Sequence, residues 1–208
     1  MSKMKLTWYG HSCFKLETAE GSIVFDPSQN GRVPGYSPLP ADFSADEVIC
    51  SHGHFDHNAA ELVQLSGKGF GGKTTFIDSW HDDVQGAKRG ENKIALVEAE
   101  GLKVAHMGDI GCELNEEQIA ALKGVDVLMI PVGGFYTIDS KTAREMADKL
   151  EAKIVVPMHY TFDDKGYDVI STLDEFRSLS KNVIDYQNGY IEVDADTPAQ
   201  TAVLKYVF

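Results

Sequence analysis

Cysteine is scarce in this chain. Three stand in 208 residues, at positions 13, 50 and 112, far apart and without a CxxC pair. That excludes a disulfide framework and makes a reducing, cytoplasmic setting the expectation. None has a basic neighbour in sequence that would activate a thiolate, so all three read as small buried hydrophobes. Long apolar runs are missing too. Nothing approaches the roughly 20 residues that span a bilayer. The opening "MSKMKLTWYGHSCF" has neither an apolar h-region nor a small-residue cleavage site, so no signal peptide is expected. Positive charge is short: 19 Lys and Arg face 32 Asp and Glu, a net −13. Such a surface repels phosphate backbones and argues against long nucleic acid as a partner. Divalent cations bound in a pocket would reverse that field locally.

What is present is ordinary globular material. Hydrophobic residues make up 43% and charged residues 25%, with no repeat or low-complexity tract, and the length suits one domain over 1–208. Short apolar stretches end at turn residues. "KLTWYG", "CFKLET" and "SIVFDP" read as a three-strand meander, and "EVICSH" as a short strand. "NAAELVQLSG" has helical spacing at Ala60, Leu62, Val63 and Leu65, with Gly67 as a cap. "KTTFIDSW" is a strand ending at His81, and "NKIALVEAEGLKVAHMGD" a hairpin about Glu100-Gly101. "LNEEQIAALKG" is an amphipathic helix capped by Asn115, with acids in its first turn. "VDVLMIPVGG" and "IVVPMHY" are strands of the buried kind. A second helix, "DSKTAREMADKLEAK", is capped by Asp139 or Ser140. "LDEFRSLSK" is a short late helix, and "NGYIEVDA" and "TAVLKYVF" are closing strands.

Histidine is also rare, yet three of the seven fall within "SHGHFDHN". In an extended backbone His52 and His54 can lie on one side, with Gly53 allowing close packing between them. Asp56 and His57 follow where the chain turns. Adjacent residues in a turn can address two centres about 3.5–4 Å apart, the spacing of a two-metal site. Nitrogen and carboxylate donors together suit borderline and hard divalent ions. Single residues are weaker signals. His81 could be an ordinary histidine, and Asp109 in "HMGD" a strand-end acid or helix cap. His159 in "VVPMHY" follows a buried strand and a proline, an odd place for a solvated histidine. All three stand just past strand ends, as the cluster does, and strand ends along one edge can converge.

The sequence resembles the metallo-β-lactamase-fold hydrolases, in the small bacterial and archaeal group that also resembles L-ascorbate-6-phosphate lactonase. The resemblance rests on "GHSCFKLE", "IVFDP", "SHGHFDHN", "HDDVQGAKRGENKI", "EGLKVAHMGDIG", "VDVLMIPVGGFYTID" and "IVVPMHY", in that order. It implies an α/β (α+β) fold, the four-layer αββα sandwich, with metals at one edge. It also implies that His52, His54 and His81 hold one ion, that Asp56, His57 and His159 hold the other, and that Asp109 bridges them. His106 competes with His81, but the two-residue strand period turns it away from Asp109, which leaves it beneath the ligands or in the core. Asp26 is read as the carboxylate that orients a ligand histidine, and His11 as reaching the site's mouth or merely packing.

The expected cofactors are two divalent ions, zinc first, with manganese or iron as alternatives. They would share an acidified water, giving a hydroxide that attacks a small ester, lactone or phosphoester, with Asp56 and Asp109 as the catalytic acids. Tyr136 and Tyr160 could line the pocket, and Lys88 and Arg89 could anchor an anionic group. Between His57 and His81 the segment "SGKGFGGKTT" is brief, so the site is expected to be open or completed by another subunit of a homo-oligomer. The competing readings are a phosphodiesterase for nucleotide or phospholipid head groups and a non-catalytic metal-binding protein. An oxidoreductase on this fold usually carries glutamate where His54 stands.

Overall fold

A computed structural model describes residues 3–208. The meander forms as β1 (Met4–Trp8), β2 (Phe14–Thr18) and β3 (Gly21–Phe25). A two-residue strand β4 (Ser44–Ala45) precedes β5 (Glu47–Ile49), and β6 (Gln64–Leu65) follows a single 3₁₀ turn over Ala60–Leu62. Next come β7 (Lys73–Trp80), β8 (Glu91–Ala99) and β9 (Leu102–His106). Helix α1 (Glu116–Leu122), β10 (Val127–Pro131), α2 (Ser140–Lys149) and β11 (Ile154–Met158) alternate. Helix α3 (Asp174–Leu179), β12 (Val183–Tyr186), β13 (Tyr190–Val193) and β14 (Gln200–Leu204) close the chain.

These strands make a five-stranded sheet, β13-β1-β2-β3-β5, and a seven-stranded sheet, β12-β14-β11-β10-β9-β8-β7. Local chemistry fixes the joints. Glu100 and Gly101 both take left-handed φ, the tight-turn geometry that joins β8 to β9. A reciprocal box starts α1: the Gln118 amide donates to Asn115 Oδ1 at 2.9 Å, and the Asn115 amide to Gln118 Oε1 at 2.8 Å. Asp139, rather than Ser140, caps α2 by accepting from the Thr142 amide. Every residue of β10, β11 and β14 is buried, as parallel strands covered on both faces require. One hydrophobic core draws Leu6, Phe14 and Phe25 from one sheet, Val97, Met129 and Val156 from the other, and Leu122, Ala147 and Phe176 from the three helices.

The segment 58–67 is not the helix its spacing suggests. Val63 instead enters a small cluster with Cys13, Val24, Phe43 and Ala45. Ile23 and Phe25 point into the main core while Val24 points the other way, so this cluster covers the outer face of the five-stranded sheet. Gln64 and Leu65 then pair with Ser44 and Ala45. Tertiary pairing overrides weak helical spacing, and a thin ribbon replaces a helix in that layer. The chain also has a strand that the sequence patterning misses, β12. Its residues are half-buried or exposed at the sheet edge, and its parallel partner β14 is distant in sequence. All three cysteines are free; Cys13 is buried, while Cys50 and Cys112 are only half-buried. Among the described residues, no helix is long and apolar enough to cross a membrane.

Strand direction positions the site. β2 is antiparallel to β1 and β3, and β5 is parallel to β3, so β1, β3 and β5 end at one edge. β8 is antiparallel to β7 and β9, while β9, β10 and β11 are parallel. So β7, β9, β10 and β11 also end together. The residues just past these ends include His11, Asp26, His52 to His57, His81, Asp109 and His159.

Candidate metal centre

The two sheet edges meet at Asp109, which is 2% exposed. Its Oδ2 lies 3.1 Å from His57 Nε2, 3.2 Å from His159 Nε2 and 3.4 Å from His81 Nε2. On one side His52, His54 and His81 converge; on the other, Asp56, His57 and His159 converge with His11. Asp109 therefore stands between two donor groups, as a bridging carboxylate would.

The backbone is built for this placement. The Asp109 amide donates to Asn92 Oδ1 at 2.9 Å, and buried Asn92 is itself tied to Ser79 Oγ and the Met107 carbonyl. Gly108 has φ +57, and a Cβ there would fall 2.2 Å from Asn92 Oδ1 and 2.6 Å from the Ser51 Cβ, so only glycine fits. His11, Asp26 and His159 take left-handed φ without being glycine. Strain of this kind persists where surrounding structure over-determines it, and it clusters at functional sites.

Buried Asp26 sets the tautomers. Its Oδ2 accepts from His57 Nδ1 at 2.8 Å and from Ser51 Oγ at 2.6 Å, and its Oδ1 accepts from the Ser51 amide at 2.7 Å. Because Ser51 Oγ gives its proton to Asp26, it must accept at 2.9 Å from His52 Nδ1. In its neutral form each histidine then directs a bare Nε2 to the centre. His106 is held differently. Its Nδ1 accepts from the Gly108 amide, its Nε2 donates to the Ser12 carbonyl, and its ring stacks on Phe25. Both nitrogens are used, so His106 packs under the site and is not available as a ligand.

Charge follows from this packing. Burial pushes His52 down to about 3, helped by His57, and His11 down to about 4, helped by His159. Burial likewise lowers His81 and His106. His57 goes the other way: burial opposes its charge, but Asp109 and Asp26 outweigh burial and hold it well above the ordinary value. Asp109 is held well below the carboxylate range because His159 and His57 overcome its desolvation. Neutral His52 and His81 and ionised Asp109 are in the states that metal binding needs, whereas His57 carries a proton that an ion would displace. His52 Nε2, His57 Nε2 and Asp109 Oδ1 are buried without a hydrogen-bond partner. Buried polar atoms are normally paired, so this donor set fits divalent ions, which would satisfy the unpaired atoms.

A cleft of about 430 Å³ opens over the centre, lined by residues that include Arg32, Phe55, Arg89, Tyr136 and Tyr167. Arg89 lies over the Tyr136 ring at 5.6 Å and donates to the Phe135 carbonyl at 3.0 Å. Its loop is organised by Asp82, whose two oxygens accept from the amides of Val84, Gly86, Lys88 and Arg89. Arg32 lies over Phe55 at 5.0 Å. Tyr167 donates its hydroxyl to Asp56 Oδ2 at 3.1 Å. Two expected pocket residues are elsewhere. Tyr160 is 5% exposed and stacks on Trp8, because it follows His159 onto the core side. Lys88 points outward to pair with Asp83 at 2.9 Å. Arg32 and Tyr167 were not anticipated, since neither stands in a recognisable motif or near the histidines in sequence. Ser51 could have been noticed as the hydroxyl next to His52.

Residues 5–159 match the beta-lactamase superfamily domain. The chain is 31% identical to a UPF0173 metal-dependent hydrolase of Methanoregula boonei over 78% of its own length and 84% of the relative's. It is 28% identical to one of Archaeoglobus fulgidus over 76% and 83%. Among solved structures, it superposes on a Thermotoga maritima protein assigned as a Zn-dependent hydrolase of the metallo-beta-lactamase superfamily. That match has a TM-score of 0.76 and 32% identity, and covers 96% of this chain and 97% of the other.

Proposed function

The chain belongs to the beta-lactamase superfamily, as a metal-dependent hydrolase of the metallo-β-lactamase fold, and on that premise we propose that it hydrolyses a small anionic ester, lactone or phosphoester at a centre of two divalent ions. The observation that carries this reading is the pairing of two donor clusters about Asp109 with two arginines at the cleft above them. His52, His54 and His81 would hold one ion, Asp56, His57 and His159 the other, with Asp109 between. When bound, the ions supply a water acidified toward neutrality and a Lewis-acidic hold on a substrate oxygen.

The chain's own residues do the rest. Burial disfavours the charge on Asp56, but His11 and His57 hold its carboxyl below the usual range. It stays ionised and can orient an attacking water as a hydrogen-bond acceptor. Burial and Asp56 push the Tyr167 hydroxyl up, so it remains a donor beside Asp56 and can give a hydrogen bond to a departing oxygen. Arg89 and Arg32, braced on aromatic faces, suit carboxylate or phosphate recognition. They give a strongly acidic protein a local positive field where a small anion would enter. The zinc assignment of the Thermotoga maritima relative supports zinc here, and the nitrogen and oxygen donors also accept manganese or iron.

The test is a substrate panel: a phosphorylated sugar lactone, an aryl phosphodiester, an aryl phosphomonoester and a neutral lactone, each assayed with Zn²⁺, Mn²⁺ and Fe²⁺. Anionic substrates should be preferred, and Arg89→Ala should raise their KM by about tenfold, the worth of one charged hydrogen bond, with the neutral lactone unaffected. Preference for the neutral substrate, or activity that survives complete metal removal, would contradict the reading.

A further inference from the structure

His11 is the residue whose chemistry is unaccounted for. It is 1% exposed, and neither ring nitrogen has a hydrogen-bond partner. The main chain holds it in place despite a left-handed φ of 51°: its carbonyl accepts from Trp8 Nε1 at 3.0 Å and from the His159 amide at 3.3 Å. Its ring lies 4.1 Å from that of His159, centroid to centroid. Its Nε2 is 3.6 Å from Asp56 Oδ2. That is too long for a good hydrogen bond, and the same oxygen already accepts from Tyr167.

The distance has another meaning. Two donors on one ion at about 2.1 Å each, at the roughly 90–120° angles of a four- or five-coordinate site, sit roughly 3.0–3.6 Å apart. His57 Nε2, a ligand in the proposed centre, is 3.7 Å from the same Asp56 oxygen. By position, His11 relates to Asp56 as His57 does. One donor atom each from His11, Asp56, His57 and His159 lies within 4.8 Å of all the others.

We infer that His11 supplies a third imidazole to the ion held by Asp56, His57 and His159. The inference rests on the two-ion reading above and goes beyond it by making the two sites unequal. With Asp109 shared, the His11 side has five protein ligands, and the His52, His54 and His81 side has four. The ion on the His11 side is the more tightly retained, and the other side keeps an open position for substrate.

Metal retention tests this. Wild type, His11→Asn and His54→Ala would be loaded with Zn²⁺ or Co²⁺, dialysed against graded chelator, and analysed for metal per chain. Asparagine tolerates left-handed φ, so His11→Asn removes the imidazole with little backbone cost. Wild type should lose its ions in two steps. His11→Asn should lose the tighter step by tenfold or more in affinity, and His54→Ala the weaker step. Cobalt-loaded His54→Ala, holding only the buried ion, should show three imidazoles by X-ray absorption, a reading that needs no His11 variant to fold. Two ions retained equally by wild type and His11→Asn, or two imidazoles on the buried ion, would overturn the inference while leaving the two-ion reading intact. A wild-type chain that never binds a second ion would overturn both.

Discussion

The two donor clusters on either side of Asp109 are built differently. His52 and His54 come from one loop and buried His81 from the end of β7; His54 is exposed and His52 half-buried, and of the three only His52 has a side-chain hydrogen bond, to Ser51. The facing cluster comes from the ends of three strands in two sheets. Its histidines, 11, 57 and 159, are all 1% exposed or less, and Asp26 anchors His57 directly. An open, loop-borne site exchanges its contents and admits substrate; a buried one, held by a supporting carboxylate, fixes geometry. Under the proposed two-ion reading, this contrast suits substrate entry and ion exchange on the His54 side and a fixed ion position on the His57 side.

That contrast can be broken or sharpened by mutation. Asp109→Ala should have the largest effect, because it removes the group both clusters share. Both ions should be lost, and hydrolysis should fall by roughly 10³-fold or more, the several kcal/mol that metal catalysis supplies. Asp26→Ala should break the buried side most, because Asp26 holds His57 directly and His52 only through Ser51. It leaves His57 buried beside Asp109 without its second partner, costing about 3–5 kcal/mol of metal-free stability in chemical denaturation. Buried-ion affinity should fall by about 10–100-fold, while the His54 side still loads.

The smallest effect concerns the outer ribbon. Asp46 accepts from the Ser22 amide at 2.7 Å, from Ser22 Oγ at 3.0 Å and from the Ser66 hydroxyl, tying the ribbon to β3. The Ser66 and Ser22 bonds hold its carboxyl below the ordinary value of 3.8. With the folded pKa depressed, this contribution is complete above about pH 4 and fades as pH falls through the lower folded value. Hydrogen exchange at residues 44–46 and 64–66 should therefore quicken in acid. Asp46→Asn should remove that pH dependence and leave the metal content of both clusters unchanged. A loss of metal from the His54 side would instead tie that side's openness to the ribbon.

Much of this was legible in the sequence. Buried parallel strands, the Glu100-Gly101 hairpin and the Asn115 cap follow from local chemistry, and the HxHxDH stretch announces a metal by composition alone. Asp26 and His106 could be placed by strand period and by what a ligand histidine needs behind it. The 58–67 segment could not, because its apolar spacing fits a helix locally while Val63 has its partners in Phe43 and Ala45. Tyr160 was misplaced because one residue separates a side chain facing the site from one facing the core. Arg32 and Tyr167 reach the cleft through long-range contacts, such as Tyr167 to Asp56 across 111 positions, which no local pattern encodes. His11 stands in a motif but takes its meaning from partners 45 or more residues away, in Asp56, His57 and His159.

The most direct measurement is a titration of metal-free protein with Zn²⁺ or Mn²⁺ that follows bound metal and hydrolysis of a preferred anionic ester together. Two ions per chain should bind, with the rate rising steeply only as the second site fills. Full activity at one ion per chain, or saturation below one ion, would contradict a two-ion centre shared through Asp109.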